Sequence, residues 1–244
     1  MIGIIGGSGL EKISDHHESR EIITPYGAVP LQIITINKKE VVFLSRHSTN
    51  HTIPPHMINY KANVWALKSL SVSHVIATAA VGSLRLDLPP GTFGIVSQFI
   101  DFTKNRQNTF FDNFKDGIKH IDMTNPYSTV LNSQIQVILK EENYPYQENL
   151  TLVVTEGPRF ETSAEIKAYR ILGADIVGMT GYPEVSLARE LSMEYACLAI
   201  STNFAAGIKN QELSHQEVIE NVSLSFEKVK IILTNLIGIL KDTV

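Results

Sequence analysis

The chain has 244 residues, 43% hydrophobic and 19% charged, a globular balance that excludes disordered, collagen-like and disulfide-rich classes. Lys plus Arg number 21 against 25 Asp plus Glu, a formal charge of −4, with no run of five like charges, which argues against nucleic acid as a partner. The lone cysteine, Cys197, excludes an internal disulfide. The N-terminal MIGIIGGSGL lacks a basic or long apolar leader, and no apolar stretch approaches the roughly 20 residues of a membrane span, so a cytoplasmic protein with no membrane role is expected.

No repeat, low-complexity tract or Pro/Gly/Ser-rich linker divides the chain, so a single domain over 1–244 is expected. Short β-branched runs at Met1 to Ile5, Leu31 to Ile36 and Val41 to Ser45 predict strands. Pro25-Tyr26-Gly27 and Asn37-Lys38-Lys39 sit at hairpin-like spacing around them, so antiparallel pairing is expected early. Next comes a helix over Ile58 to Leu70, with Val64, Trp65, Leu67 and Leu70 on one face, feeding a buried strand from His74 to Ala80. Further strands are predicted at Phe93 to Ile100, Leu150 to Thr155, Asp175 to Met179 and Tyr195 to Thr202, with helices near 128 to 141, 162 to 171 and 183 to 192. The last helix repeats Val218, Val222, Val229, Leu233, Leu236 and Leu240 at helical spacing, a face suited to cover a sheet. The class is α/β with a central mixed sheet flanked by helices.

Polar groups gather where predicted strands end. The Gly6-Gly7-Ser8-Gly9 loop follows the first strand, and its glycines admit either a tight structural turn or a backbone cradle for an anion. It lacks both the GxGxxG spacing and the lysine of a P-loop. Arg46-His47 follows the strand Val41 to Ser45, placing a permanent cation and a titratable donor where open α/β sheets bind ligands. Ser48, Asn50, His51 and His56 crowd the same loop, which reads either as a site or as a solvated connection. In Glu156-Gly157-Pro158-Arg159-Phe160-Glu161-Thr162, Thr162 and Glu165 have the spacing of a capping box, and Glu161 stands at a strand-to-helix junction. There it either complements the helix dipole or accepts a hydrogen bond from a flat heterocycle stacked on Phe160. Met179-Thr180 and Asn203 end two more strands; taken singly, they read as core and turn residues.

In order along the chain, IIGGSGL, SRHSTNHTIPPHMINYKANVWAL, VTEGPRFETSAE, GADIVGMTGYPEV and STNFAAG together resemble the purine nucleoside phosphorylase and methylthioadenosine phosphorylase family, over nearly the whole chain. The resemblance implies inverting phosphorolysis of a purine nucleoside on an α/β fold, in a homotrimer or a hexamer. Phosphate is a co-substrate; no metal or cofactor is implied. Carried over by residue, it places phosphate against Ser8, Arg46, His47 and Thr180, with the backbone around Ala79 and Ala80 completing the site. Methylthioadenosine-specific relatives commonly have Thr at the position of Ala79, so a hydroxyl contact to phosphate is missing. Phe160 would stack on the base, Met179 would lie beneath the ribose, and Asn203, with Arg46 and His47, would carry the chemistry.

Adenine-preferring members of that family use an Asp pair where this chain reads Asn203-Phe204-Ala205, so both acids are absent. An Asn203 amide and an ionised Glu161 instead match the O6 acceptor and N1–H donor of hypoxanthine or guanine. The implied reaction is phosphorolysis of S-methyl-5′-thioinosine, since PPHMINYKANVWAL and GMTGYPEVSLAREL resemble bacterial phosphorylases for that nucleoside, in which the position of His215 is apolar. Inosine or guanosine is the alternative, because phosphorylases for ordinary nucleosides place a histidine at that position against the 5′-hydroxyl; methylthioadenosine ranks third. A nucleosidase, with water in place of phosphate, and a silent purine-binding protein are the rival readings, and Ser8 with Arg46-His47 argues against the first. Asn105 to Phe114 reads either as a contact with a neighbouring subunit or as a mobile surface loop.

Overall fold

A computed structural model describes residues 1–240 apart from 11, 12, 14, 15, 114, 116, 118, 211 and 212. The strands are β1 (Ile2–Gly6), β2 (His17–Thr24), β3 (Gly27–Ile36), β4 (Lys39–Ser45), β5 (His74–Ser83), β6 (Phe93–Phe102), β7 (Tyr146–Thr155), β8 (Ile176–Gly178) and β9 (Glu194–Phe204). The helices are α1 (Tyr60–Ser69), α2 (Thr129–Glu141), α3 (Ser163–Ile171), α4 (Glu184–Glu190) and α5 (His215–Ile239). This is the expected α/β class with a mixed sheet.

The N-terminal hairpins form as predicted. β2 and β3 pair antiparallel from Thr24↔Gly27, and β3 and β4 from Ile36↔Lys39. Asn37 (φ 51°) and Lys38 (φ 65°) both take left-handed backbone, the geometry of a tight hairpin turn that asparagine tolerates well. β2 itself has no counterpart in the sequence analysis. It is an edge strand whose first five residues are all exposed, so no apolar alternation marks it.

β4, β1 and β5 run parallel, and β9 lies parallel to β5 from His74↔Glu194 onward. The end of β5 also pairs antiparallel with β8, which continues through β7 and β6 back to β9. The pairing β5-β8-β7-β6-β9 therefore closes on itself. A closed circuit turns strand ends toward a common rim, and that rim carries the site.

The sheet is buried on both faces. One apolar cluster joins Val64 and Leu67 of α1 and Val185 and Leu187 of α4 to the strands. A second joins Leu131 and Ile135 of α2 and Val229, Leu233 and Leu236 of α5 to the other face. Val222, Val229, Leu233, Leu236 and Leu240 of the predicted stripe are buried, whereas Val218 is only half-buried and lines the cavity described below. Trp65 is likewise half-buried, its ring 5.6 Å from both Tyr26 and Phe110. No helix among the described residues is long and apolar enough to cross a membrane.

Truncating Leu233, fully buried in α5, leaves a cavity and should lower unfolding free energy by about 2–5 kcal/mol. Leu224→Ala, on the same helix but 76% exposed, should change it by less than about 0.5 kcal/mol. Urea titrations of both variants check this, and equal losses would contradict the assigned helix face.

Candidate active site

A cavity of about 380 Å³ opens at the strand rim. Its walls include Ser8 after β1, Arg46 and His47 after β4, Ala80, Val81 and Gly82 within β5, and Met179 and Thr180 after β8. Phe160 and Glu161 from the loop after β7, and Thr202, Asn203 and Ala205 around the end of β9, complete that rim. Leu213, His215 and Val218 close it from the start of α5. Residues nearly two hundred positions apart thus share one space because the ends of two parallel sets, β4-β1-β5-β9 and β6-β7-β8, meet where the circuit closes.

The glycine loop is explained by what it touches. A Cβ on Gly7 would lie 2.7 Å from the Thr78 carbonyl oxygen and 2.8 Å from Arg46 Nη1, so only glycine lets the loop approach that guanidinium. The Gly7 N–H donates to Thr78 Oγ1 (3.0 Å), and Leu10 N–H closes the turn on the Gly7 carbonyl (3.0 Å).

Arg46 is buried, and its Nε and Nη2 donate to the two carboxylate oxygens of Glu184 at 2.5 and 2.9 Å. Nη1 donates to the Thr78 carbonyl at 2.8 Å. Three of its five N–H groups are therefore engaged, which leaves two for a ligand. The Tyr195 hydroxyl donates to the same Glu184 carboxylate at 2.8 Å. Burial works against both charges, but the pairing outweighs it, keeping Arg46 above its ordinary pKa and Glu184 below the usual carboxylate range. Glu184 was not singled out from the sequence. The available signal was a carboxylate at position i of a short helix whose i+3 and i+4 residues, Leu187 and Ala188, are apolar, which asks for a buried cation.

His47 departs from the expected titratable donor. Its Nδ1–H donates to the Ile53 carbonyl at 2.8 Å, and burial together with the Arg46 charge pushes its pKa down to about 4. At neutral pH the ring is uncharged, and its other nitrogen is an acceptor. The His51 ring stacks on it at 4.6 Å. His51, Thr52 and Ile53 also line the cavity, so this loop is part of its wall.

Two other expectations change. Of the Ala79–Ala80 backbone expected at the site, Ala80 lines the cavity but Ala79, one residue earlier in β5, does not, and its side chain lies in the apolar cluster. The segment Asn105 to Phe114 is not a loose loop up to residue 113, and Phe114 lies outside the described residues. Thr109 Oγ1 and the Phe110 N–H both donate to Glu190 at 2.6 Å, and Phe110 packs on Tyr26.

On the opposite chemistry, Glu161 is nearly buried and accepts from Thr155 Oγ1 at 2.7 Å. Burial raises its pKa, with the Thr155 hydroxyl opposing. The capping box predicted at Thr162 and Glu165 is present, so Glu161 stands just ahead of α3. Asn203 accepts from Thr202 Oγ1 (2.9 Å) and donates to the Phe204 carbonyl (3.0 Å). These bonds fix which way the amide faces and leave one N–H and one lone pair for a ligand. Gly157 has φ +67°, and a Cβ there would meet Met179 Sδ at 2.6 Å, so the loop carrying Phe160 packs directly on Met179. His215 is the first residue of α5, exposed at the cavity mouth. Among the described residues no group of three or more His, Cys, Asp or Glu could hold a metal ion.

The sequence profile of the Phosphorylase superfamily matches residues 1–238. The chain belongs to that superfamily. It is 50% identical over 231 residues to a probable 6-oxopurine nucleoside phosphorylase of Dictyoglomus turgidum, covering 94% of this chain and 88% of the relative. It is 46% identical over 239 residues to the 6-oxopurine nucleoside phosphorylase of Pyrococcus furiosus (95% and 90% covered) and 48% identical over 229 residues to a probable S-methyl-5′-thioinosine phosphorylase of Methanocaldococcus jannaschii (94% and 88% covered). Among solved structures, methylthioadenosine phosphorylase from Schistosoma mansoni in complex with adenine superposes with a TM-score of 0.90 at 34% identity, covering 97% of this chain and 90% of that one.

Replacing Glu184 with Gln strands the Arg46 guanidinium without a buried counter-charge and should cost about 3–5 kcal/mol near neutral pH. Because pairing lowers the Glu184 pKa in the folded state, its contribution is full above the unfolded value and is lost as pH falls through the folded one. Urea unfolding of wild type and Glu184→Gln across pH should therefore show a gap that closes in acid. A gap below about 1 kcal/mol at neutral pH would contradict a buried ion pair.

Proposed function

We propose that the protein phosphorolyses 6-oxopurine nucleosides as a pentosyltransferase, with S-methyl-5′-thioinosine the first candidate and inosine or guanosine the second. The observation that carries the base assignment is Glu161 and Asn203 on one cavity with no second acid, where Ala205 stands. Ionised Glu161 accepts N1–H, and the free Asn203 N–H donates to O6 or N7 of hypoxanthine. Adenine has no N1–H and carries an amine donor, so it leaves Glu161 unsatisfied and sets donor against donor, at roughly 1–3 kcal/mol for each unpaired group.

In the reaction, the C1′–N9 bond breaks as a phosphate oxygen bonds to C1′ from the opposite face, and the bonding pair leaves with the purine. Asn203 stabilises the charge that develops on the base, and the phosphate offsets the cationic character of the sugar. Phosphate is held by Ser8, Thr180, the backbone at Ala80 and the two free N–H groups of Arg46. His47, uncharged and with its Nδ1–H committed, accepts at Nε2 a hydrogen bond donated by a protonated phosphate oxygen. Phe160 stacks on the base and Met179 lies beneath the ribose. The inverted product is a sugar 1-phosphate, and neither a covalent enzyme intermediate nor a cofactor is needed. Leu213 and Val218 suit a 5′-methylthio group, whereas His215 at the same mouth suits a 5′-hydroxyl, which is what keeps inosine and guanosine as a second reading. The relatives named for both substrates support the shared 6-oxopurine assignment. A homotrimeric or hexameric assembly and a cytoplasmic location belong to this same reading.

Base release from S-methyl-5′-thioinosine, inosine and methylthioadenosine should favour the two oxopurines by about a hundredfold in kcat/KM over the adenine nucleoside. Asn203→Asp should shift that ratio toward methylthioadenosine; unchanged ratios would sink the base assignment. Because the Glu161 pKa is raised, its acceptor form is lost as pH falls through a value above that of an ordinary glutamate. The kcat/KM for the preferred oxopurine should fall along that acid limb, and Glu161→Gln should lack the limb; a profile identical in both proteins would remove Glu161 from recognition.

A further inference from the structure

Arg106 does not line the cavity, yet its side chain is only 1% exposed. Its Nη2 donates to the carbonyls of Thr155 (3.0 Å), Glu156 (3.1 Å) and Met179 (2.8 Å). Nη1 donates to the Tyr182 carbonyl (2.7 Å) and the Tyr60 hydroxyl (3.1 Å), and Nε lies 3.4 Å from the Glu156 carboxylate. A single planar cation therefore gathers four backbone carbonyls from three stretches of chain, a task for which the guanidinium fork is suited and a lysine ammonium is not.

Each stretch leads to a different part of the site. Thr155 and Glu156 begin the loop that carries Phe160 and Glu161, and Thr155 also holds Glu161 through its hydroxyl. Met179 is itself a cavity residue. Tyr182 is two residues before Glu184, which grips Arg46. Carbonyls repel one another when drawn together, and the guanidinium offsets that repulsion while touching all three stretches at once.

We propose that Arg106 is a positioning residue for the reaction, an inference that rests on the phosphorolysis reading above: it fixes the base-binding loop, Met179 and the Glu184 support of Arg46 relative to one another. Its loss misaligns groups that still bind, so turnover suffers more than affinity.

Arg106→Ala and Arg106→Lys are assayed beside wild type with the nucleoside that wild type cleaves best, and each is melted by circular dichroism. No base release by wild type would overturn the functional reading, and this role with it; normal wild-type turnover confines the test to Arg106. The alanine variant should lose about 100-fold in kcat while the KM values for nucleoside and phosphate move by less than about threefold. Millimolar guanidinium should restore part of that kcat without raising wild-type turnover, and lysine should not substitute for arginine. Variant kcat within about twofold of wild type would overturn the proposal. So would a loss that guanidinium does not relieve and that follows the fall in melting temperature. Should the alanine variant not fold, the lysine variant decides: a wild-type melt with at least a tenfold kcat loss supports positioning, and wild-type kcat refutes it. Failure of both to fold would make Arg106 a folding residue and also overturn the proposal.

Discussion

The buried pair between Arg46 and Glu184 is the constraint on which the rest of the site depends. Removing two ions from water costs several kcal/mol each, and only a well-formed set of hydrogen bonds offsets that. Here the set is drawn from four elements: the guanidinium follows β4, the carboxylate opens α4, the Thr78 carbonyl belongs to β5 and the Tyr195 hydroxyl to β9. The pair thereby ties the parallel strands to the helix packed on them. It also leaves a guanidinium that is positioned before any ligand arrives, with two N–H groups to spare. A preorganised donor of this kind loses little freedom when an anion binds.

The strand circuit β5-β8-β7-β6-β9 supplies the complementary half. Its closure carries Met179, Glu161 and Asn203 to the rim that already holds Ser8, Arg46 and His47. Two kinds of chemistry then share one cavity, anion donors on one set of strand ends and a carboxyl-amide pair on the other. Cleavage of an N-glycosidic bond by phosphate asks for that combination, because charge of opposite sign develops on sugar and base.

Much of this was legible in the sequence, and the residues show why. The α5 face is written in Val222, Val229, Leu233 and Leu236, since burial of one helix face imposes its own period. Ser8, Arg46 and Glu161 stood out because each sits in a short polar motif at a strand end, whereas Asn203 alone reads as a turn residue and drew its candidate role from the family resemblance. Glu184 was harder to find, because its partner lies 138 residues away and its local mark is no more than the apolar Leu187 and Ala188 one turn on in a short helix. The same holds for Arg106, whose partners are carbonyls and carry no sequence signature. β2 is an exposed edge with no apolar alternation, and the turning of Ala79 away from the cavity depends on strand register. The tautomer of His47 is set by a carbonyl six residues on, and its uncharged state by burial beside Arg46, both of which only the fold supplies.

The central claim is that the site around Arg46 serves a phosphate that becomes part of the product. The most direct test is phosphorus NMR of the reaction with the preferred 6-oxopurine nucleoside, run beside a phosphate-free control. The account predicts one sugar 1-phosphate formed for each purine released, and no release without phosphate. Free sugar, released at the same rate in the absence of phosphate, would contradict it and make water the nucleophile.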